Sequence, residues 1–276
     1  MNISLLRVLS MNIWTFSAPY EKRMKLLRAG VERLSPDLMA FQEAGYADGL
    51  HQAAELLDGL NYHIIHQFEY GVSLGRDNGC CIASRWPMKE VSVVPLNVTE
   101  NAQRYPYCLL IARVSAPTPV DEILFVCAKP SWEWNREYER ELQAVILAET
   151  VLSRTNPSDF PPIIAGDFDA TPEHASIRFL SGKQSLAGKS VHFRDAWAEV
   201  GDGTGGYTWS WHNGYTANRL HQRHHCRRID YIFLGSPHNF EQYAAFTTCR
   251  VEMTEPVCGV WPSDHYAVYA EIETVP

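Results

Sequence analysis

The sequence predicts a mixed α and β fold, and three observations carry that reading. Short apolar runs recur along the chain, each bounded by proline, glycine or a polar turn, as buried strands are. Two longer segments, 20–34 and 136–152, place apolar residues at helical spacing opposite charged ones. No internal repeat, low-complexity tract or long charge block divides the chain, so residues 1–276 are expected to form one domain.

In chain order, Leu5-Leu6-Arg7-Val8-Leu9-Ser10-Met11-Asn12 reads as a strand closing on an asparagine. The first helix follows, with Met24, Leu26, Leu27, Val31 and Leu34 on its core face. The run Asp37-Leu38-Met39-Ala40-Phe41-Gln42-Glu43-Ala44 is a second strand, closing on a glutamate. Segments 61–68, 79–84, 89–96 and 108–114 continue the strand pattern, as does Ile123-Leu124-Phe125-Val126-Cys127-Ala128 ahead of Lys129. The second helix carries Leu142, Val145, Ile146 and Val151.

The run Pro161-Pro162-Ile163-Ile164-Ala165-Gly166-Asp167-Phe168-Asp169-Ala170-Thr171-Pro172 sets two carboxylates where an apolar strand breaks into a turn. An isolated D-x-D more often caps a turn than performs chemistry, but it also suits a metal or a water nucleophile. Further on, Arg227-Arg228-Ile229-Asp230-Tyr231-Ile232-Phe233 puts one acid inside a strand pattern, where it is costly unless paired. The final strand begins at Ser263-Asp264-His265-Tyr266, and His265 is the partner that would relieve that cost. Strands that each end on a polar residue imply one site assembled on a rigid sheet.

Five spaced motifs, Met11-Asn12-Ile13-Trp14, Phe41-Gln42-Glu43, Gly166-Asp167-Phe168, Arg228-Ile229-Asp230-Tyr231-Ile232 and Ser263-Asp264-His265, give a resemblance to the metal-dependent endonuclease/exonuclease/phosphatase superfamily. That group includes deoxyribonuclease I, abasic-site endonucleases, sphingomyelinases and inositol polyphosphate 5-phosphatases. The resemblance spans about Arg7 to Glu273 and implies a four-layered α/β sandwich, two mixed sheets face to face with helices outside. It further implies that Glu43, Asn12 and Asp264 hold Mg²⁺ or Mn²⁺ in an oxygen-rich shell. By the same resemblance Asp167 activates or orients the attacking water. His265, held by Asp230, then binds a non-bridging phosphate oxygen, with Asn12 also expected at the substrate; Arg228 is expected there too, from its place in a small arginine cluster.

Two positions depart from the family pattern. Where most members read Gly-Asp-Phe-Asn, this chain has Asp169; an ionised carboxylate accepts hydrogen bonds only, and at 4 Å from a like charge it costs about 1 to 4 kcal/mol. Where the family has a strand ending in Thr-His-Leu, this chain has Ala128-Lys129-Pro130. A lysine stabilises phosphate charge but does not shuttle protons near neutrality unless its pKa falls. A surface lysine outside the site is the other reading of Lys129.

The formal net charge of −8 and the lack of a basic stripe count against nucleic acid as partner, leaving a nuclease as an alternative. Arg223, Arg227 and Arg228 are the nearest approach to a phosphate-receiving cluster. Seven cysteines, an odd number with several inside strand patterns, fit free thiols and a cytoplasmic setting. No apolar stretch is long enough to span a membrane, and no secretory leader is expected. The segment His221 to Cys226 reads as a loop rather than a zinc site, and Trp132, Trp134, Trp209 and Trp211 as core packing or the wall of a pocket for a ring-bearing group.

The sequence therefore points to a divalent-metal-dependent phosphoesterase acting on a small-molecule or lipid-like phosphoester by direct water attack. Lys129 and Asp169 leave two alternatives beside it: a different reaction on the same scaffold, or metal and phosphate binding without turnover.

Overall fold

The computed structural model describes residues 4–71, 77–217 and 225–275. The first half runs β1 (Leu5–Asn12), α1 (Tyr20–Leu34), β2 (Leu38–Ala47), β3 (Leu50–His51), α2 (Gln52–Leu57), β4 (His63–His66), β5 (Asn78–Ser84), β6 (Met88–Pro95), β7 (Cys108–Ser115), β8 (Glu122–Lys129) and α3 (Glu137–Ser153). The second half adds β9 (Ile163–Asp167), α4 (Ala175–Leu180), β10 (Phe193–Asp195), α5 (Ala196–Val200), β11 (Trp209–Ser210), α6 (Gly214–Ala217), β12 (Cys226–Arg227), β13 (Asp230–Gly235), β14 (Tyr243–Glu252) and β15 (Ala267–Val275). The expected 61–68 strand is shorter, because Gln67 to Tyr70 turn into a 3₁₀ helix capped by His66.

Two mixed sheets form, ordered β14-β15-β1-β2-β5-β4 and β10-β13-β9-β8-β7-β6, with β3 paired to β2 and a small β11–β12 ribbon. Between the sheets, Leu6, Val8, Leu38 and Ile82 of the first meet Leu110, Phe125, Ile163 and Ile232 of the second. The outer face of the first sheet packs Leu9, Met11 and Met39 against Leu27 and Val31 of α1 and Leu56 of α2. On the other side, Leu109, Val126, Ile164 and Phe233 pack against Leu147 and Val151 of α3 and Phe179 of α4. The result is the four-layered α/β sandwich expected. Central strands covered on both faces explain why β8 and β9 read as nearly unbroken apolar runs rather than alternating ones.

Each helical layer supplies a buried arginine that ties down loops at the same end of the sandwich. Arg23 of α1 donates to the Ile13, Ser17 and Pro262 carbonyls at 2.5, 2.7 and 3.1 Å. Arg140 of α3 donates to the Ser131, Glu133 and Trp134 carbonyls at 3.0, 2.7 and 3.3 Å. A guanidinium has five fixed donors, so one side chain satisfies several loop carbonyls at once and holds their spacing. Among the described residues no helix is long and apolar enough to cross a membrane.

Candidate active site

Side-chain parity dictates where the inter-sheet core turns polar. Successive residues of a strand face opposite sides, so the inward set of β8 runs Ile123, Phe125, Cys127 and then Lys129. In β9 it runs Ile163, Ala165 and Asp167, and in β13, read backwards, Leu234, Ile232 and Asp230. In β1 it runs Leu6, Val8, Ser10 and Asn12. Each strand thus carries an apolar inner face that ends on a polar group at one end of the sandwich.

Register brings these ends together. Asp230 pairs directly with Asp167 across antiparallel β13 and β9, and Ala128 pairs with Gly166 across parallel β8 and β9. The β8–β9 approach is so close that a Cβ on Gly166 would fall 2.2 Å from the Ala128 carbonyl oxygen. Glu43 lies in an irregularity of the β2–β5 pairing between Phe41 and Ala44, with φ of +50°, which takes its side chain out of strand parity.

Asp167 is the hub. Its Oδ2 accepts from Asn12 Nδ2 at 3.0 Å and from Lys129 Nζ at 2.7 Å, and lies 3.8 Å from His265 Nε2. His265 Nδ1 is 3.0 Å from Asp230 Oδ2, and the Trp209 ring sits edge-on to the imidazole at 4.8 Å. Asn12 is held in turn, its Oδ1 accepting from Trp14 N at 3.0 Å. Lys129 also pairs with Asp169, so one ammonium clasps both acids of the D-x-D turn. Asp169 is fixed by its own N–H to Asp167 Oδ1 at 3.1 Å and has φ of +51°.

These contacts move the titrations apart. Burial opposes charge on Asp167, but Lys129 and His265 outweigh it and hold the carboxyl down at about 2. Burial and the neighbouring Asp167 push Asp169 up to about 7 against the pull of Lys129. Burial disfavours the imidazolium of His265, yet Asp230 and Asp167 carry it up to about 10, so the ring is cationic at neutral pH. Lys129 is held charged against burial by Asp167, Asp169 and Glu43.

Lys129, Asp167, Asp169 and His265 line a cavity of about 120 Å³ that also includes Glu43, Asp264 and Arg227, with Trp14, Trp132, Trp134 and Trp209 as walls. Glu43 makes no side-chain hydrogen bond or ion pair with a described residue, and its carboxylate and that of Asp264 face the same space. Carboxylate oxygens of this kind suit Mg²⁺ or Mn²⁺. Asp167, Asp230 and His265 also bring ligand-type atoms within 4.8 Å of one another. A cationic imidazole has no lone pair to give a metal, which favours hydrogen bonding over ligation at that group.

Two sequence expectations change. Arg228, expected at the substrate, instead turns away into a buried ion pair with Asp195 at 2.8 Å, where Asp195 also caps α5. Its neighbour Arg227 lines the cavity, donating to the Asp169 carbonyl at 2.7 Å and stacking 4.5 Å above Trp134. Lys129 is not a surface lysine: it meets the carboxylate of Asp169 that was expected to face a phosphate unscreened. Most of the His221 to Cys226 segment, and Arg223, lie outside the described residues; His225 itself contacts the Trp134 ring edge-on at 5.2 Å. Sequence reasoning missed the role of Trp14 as a wall, and of Arg23 and Arg140 as clamps, because the two arginines act through backbone carbonyls that leave no residue signature.

Comparisons with known proteins agree with this fold. The structure of D. rerio TDP2 complexed with single-strand DNA product superposes with a TM-score of 0.77 at 21% identity, covering 99% of this chain and 100% of that one. The human Nocturnin catalytic domain with bound sulfate gives 0.71 at 14% identity, covering 100% and 97%. An endonuclease/exonuclease/phosphatase from Bacteroides vulgatus gives 0.72 at 15%, covering 99% and 100%. Among curated protein sequences none matches the chain. The sequence model described as "Endonuclease/Exonuclease/phosphatase family" matches residues 9–265, and this chain belongs to that family.

Proposed function

We propose that the protein is a divalent-metal-dependent phosphoesterase that cleaves a small-molecule or lipid-like phosphoester by direct attack of water. The observation that carries this reading is Asp167 held between a cationic His265 and a cationic Lys129, in a cavity that the carboxylate of Glu43 also lines. Glu43 and Asp264, with Asn12 beside them, would hold Mg²⁺ or Mn²⁺, which when bound supplies Lewis-acid stabilisation of phosphate charge. His265 donates from Nε2 to a non-bridging oxygen while Asp230 keeps the ring oriented and charged. Arg227 neutralises further charge on the substrate from the Trp134 side.

The departures give the site a different proton acceptor. A carboxyl held at about 2 is a weak base, so Asp167 orients the nucleophilic water more than it deprotonates it. Asp169, raised to about 7, is matched to proton transfer near neutrality. Lys129 keeps the two acids close without requiring both to lose their charge. The free thiols of all seven cysteines support a reducing compartment.

The test is Mg²⁺- and Mn²⁺-dependent hydrolysis of chromogenic phosphodiesters and phosphomonoesters by this protein, by Asp169→Asn and by Lys129→His/Asp169→Asn. Turnover by the protein as it stands, with an acid limb near pH 7 that is absent in Asp169→Asn, is the expected result. Activity confined to the double variant would mean that the two departures disable phosphoester chemistry. A nucleic-acid phosphodiester is the second reading, favoured by the single-strand DNA product in the D. rerio neighbour and opposed by the charge of −8.

A further inference from the structure

We propose that a second cavity, adjoining the reaction chamber, is a subsite for a flat N–H-bearing ring attached to the phosphoester, such as an amino-substituted nucleobase. The inference rests on the phosphoesterase reading for the position of the phosphate. This cavity, of about 170 Å³, shares Glu43, Lys129 and Trp132 with the chamber, so a group seated in it is continuous with one held at Lys129. Its volume is well below the roughly 300 Å³ at which pockets begin to enclose drug-sized ligands, and suits one ring system.

Its walls are aromatic. Trp132 stands edge-on to Tyr105 at 6.4 Å, and Tyr105 stacks on Tyr107 at 5.2 Å. Trp132 is nevertheless 45% exposed, as Trp134 next to it is 41% exposed. Large aromatic surface left in water on a mobile loop would simply collapse, but this loop is fixed. Arg140 binds its carbonyls, Ser131 N donates to Gln143 Oε1 at 2.9 Å, and Tyr107 donates to Glu133 Oε2 at 3.2 Å. An exposed indole on a clamped loop is preorganised to stack against a ligand.

The polar rim defines the ring's edge. Gln67 is already engaged, its Oε1 accepting from Cys80 N at 2.5 Å and its Nε2 donating to the Pro106 carbonyl at 3.0 Å. The side chains of Asp77 and Asn78 line the cavity and make no hydrogen bond with a described residue. A carboxylate accepts and does not donate, so the complementary edge carries N–H groups.

Equilibrium binding without added metal, so that no turnover intervenes, decides it, using AMP, ribose 5-phosphate, adenosine and inorganic phosphate. AMP is expected to bind about 10-fold or more tightly than ribose 5-phosphate, the size of one stacked base. Trp132→Ala should abolish that advantage and Trp132→Phe should keep most of it; because Trp132 is exposed, neither change threatens the fold. Equal affinities for AMP and ribose 5-phosphate, or an advantage that survives Trp132→Ala, would overturn the subsite. Adenosine binding as tightly as AMP with no competition from inorganic phosphate would keep the ring subsite and overturn the phosphoesterase reading instead.

Discussion

The two flanks of Asp167 do the same electrostatic work by different means. On one side His265 is charged because Asp230 stands behind it and Asp167 in front, a linear relay of acid, imidazole and acid. On the other, Lys129 clasps Asp167 and Asp169 together, a branched arrangement in which one cation serves two acids. The relay sets a cationic His265 between two acids. The clasp sets one ammonium against two adjacent acids, and that crowding appears as the raised titration of Asp169. Site charge on the Lys129 flank therefore responds to pH near neutrality through Asp169.

Five substitutions test that contrast, from the largest expected effect downward. Asp167→Asn removes the hub common to both flanks and should lower kcat/KM by about 10³-fold or more, read in the chromogenic assay. Lys129→Met strands two buried acids and should destabilise the protein by roughly 3–5 kcal/mol in urea unfolding at pH 8. A smaller loss, or one that does not shrink as Asp169 is protonated below pH 7, would show the clasp to be looser than described.

Asp230→Asn breaks only the relay, and kcat/KM should fall about 10²-fold. The sign of its stability effect follows from His265, whose folded-state titration at about 10 lies above the ordinary 6.5. That contribution is fully present below about pH 6.5 and is lost as pH rises through about 10. The variant's deficit should accordingly be greatest at and below neutrality and close toward pH 10. Smallest is Arg227→Ala, expected to raise KM about tenfold with kcat little changed, whereas Arg228→Ala should leave KM alone and lower the unfolding midpoint. The opposite assignment would return Arg228 to the substrate.

Much of the fold was legible because parity and burial act locally. The helix 20–34 follows from its own apolar stripe, and β9 from four apolar residues between proline and glycine. Asp230 could be matched to His265 because an acid inside a strand needs a partner and only an oppositely placed strand end offers one. The Lys129–Asp169 contact left no comparable trace: the residues are 40 apart on different segments, and neither breaks its local pattern. Arg227 and Arg228 could not be told apart for a related reason. Two adjacent arginines entering a strand point to opposite faces, and composition alone does not say which face holds Asp195 and which the cavity.

Gly166 has a consequence for how such a site is acquired. Because its missing side chain lets β8 and β9 close to the point where a Cβ would strike the Ala128 carbonyl, it sets the span between the ammonium of Lys129 and the carboxylate of Asp167. A chain could carry every acid and base found in this cavity and still fail to reproduce it if position 166 held alanine. The permission for a lysine to stand in for a histidine here comes from a hydrogen atom on the strand beside it, so history at this position constrains which exchanges the catalytic face can accept.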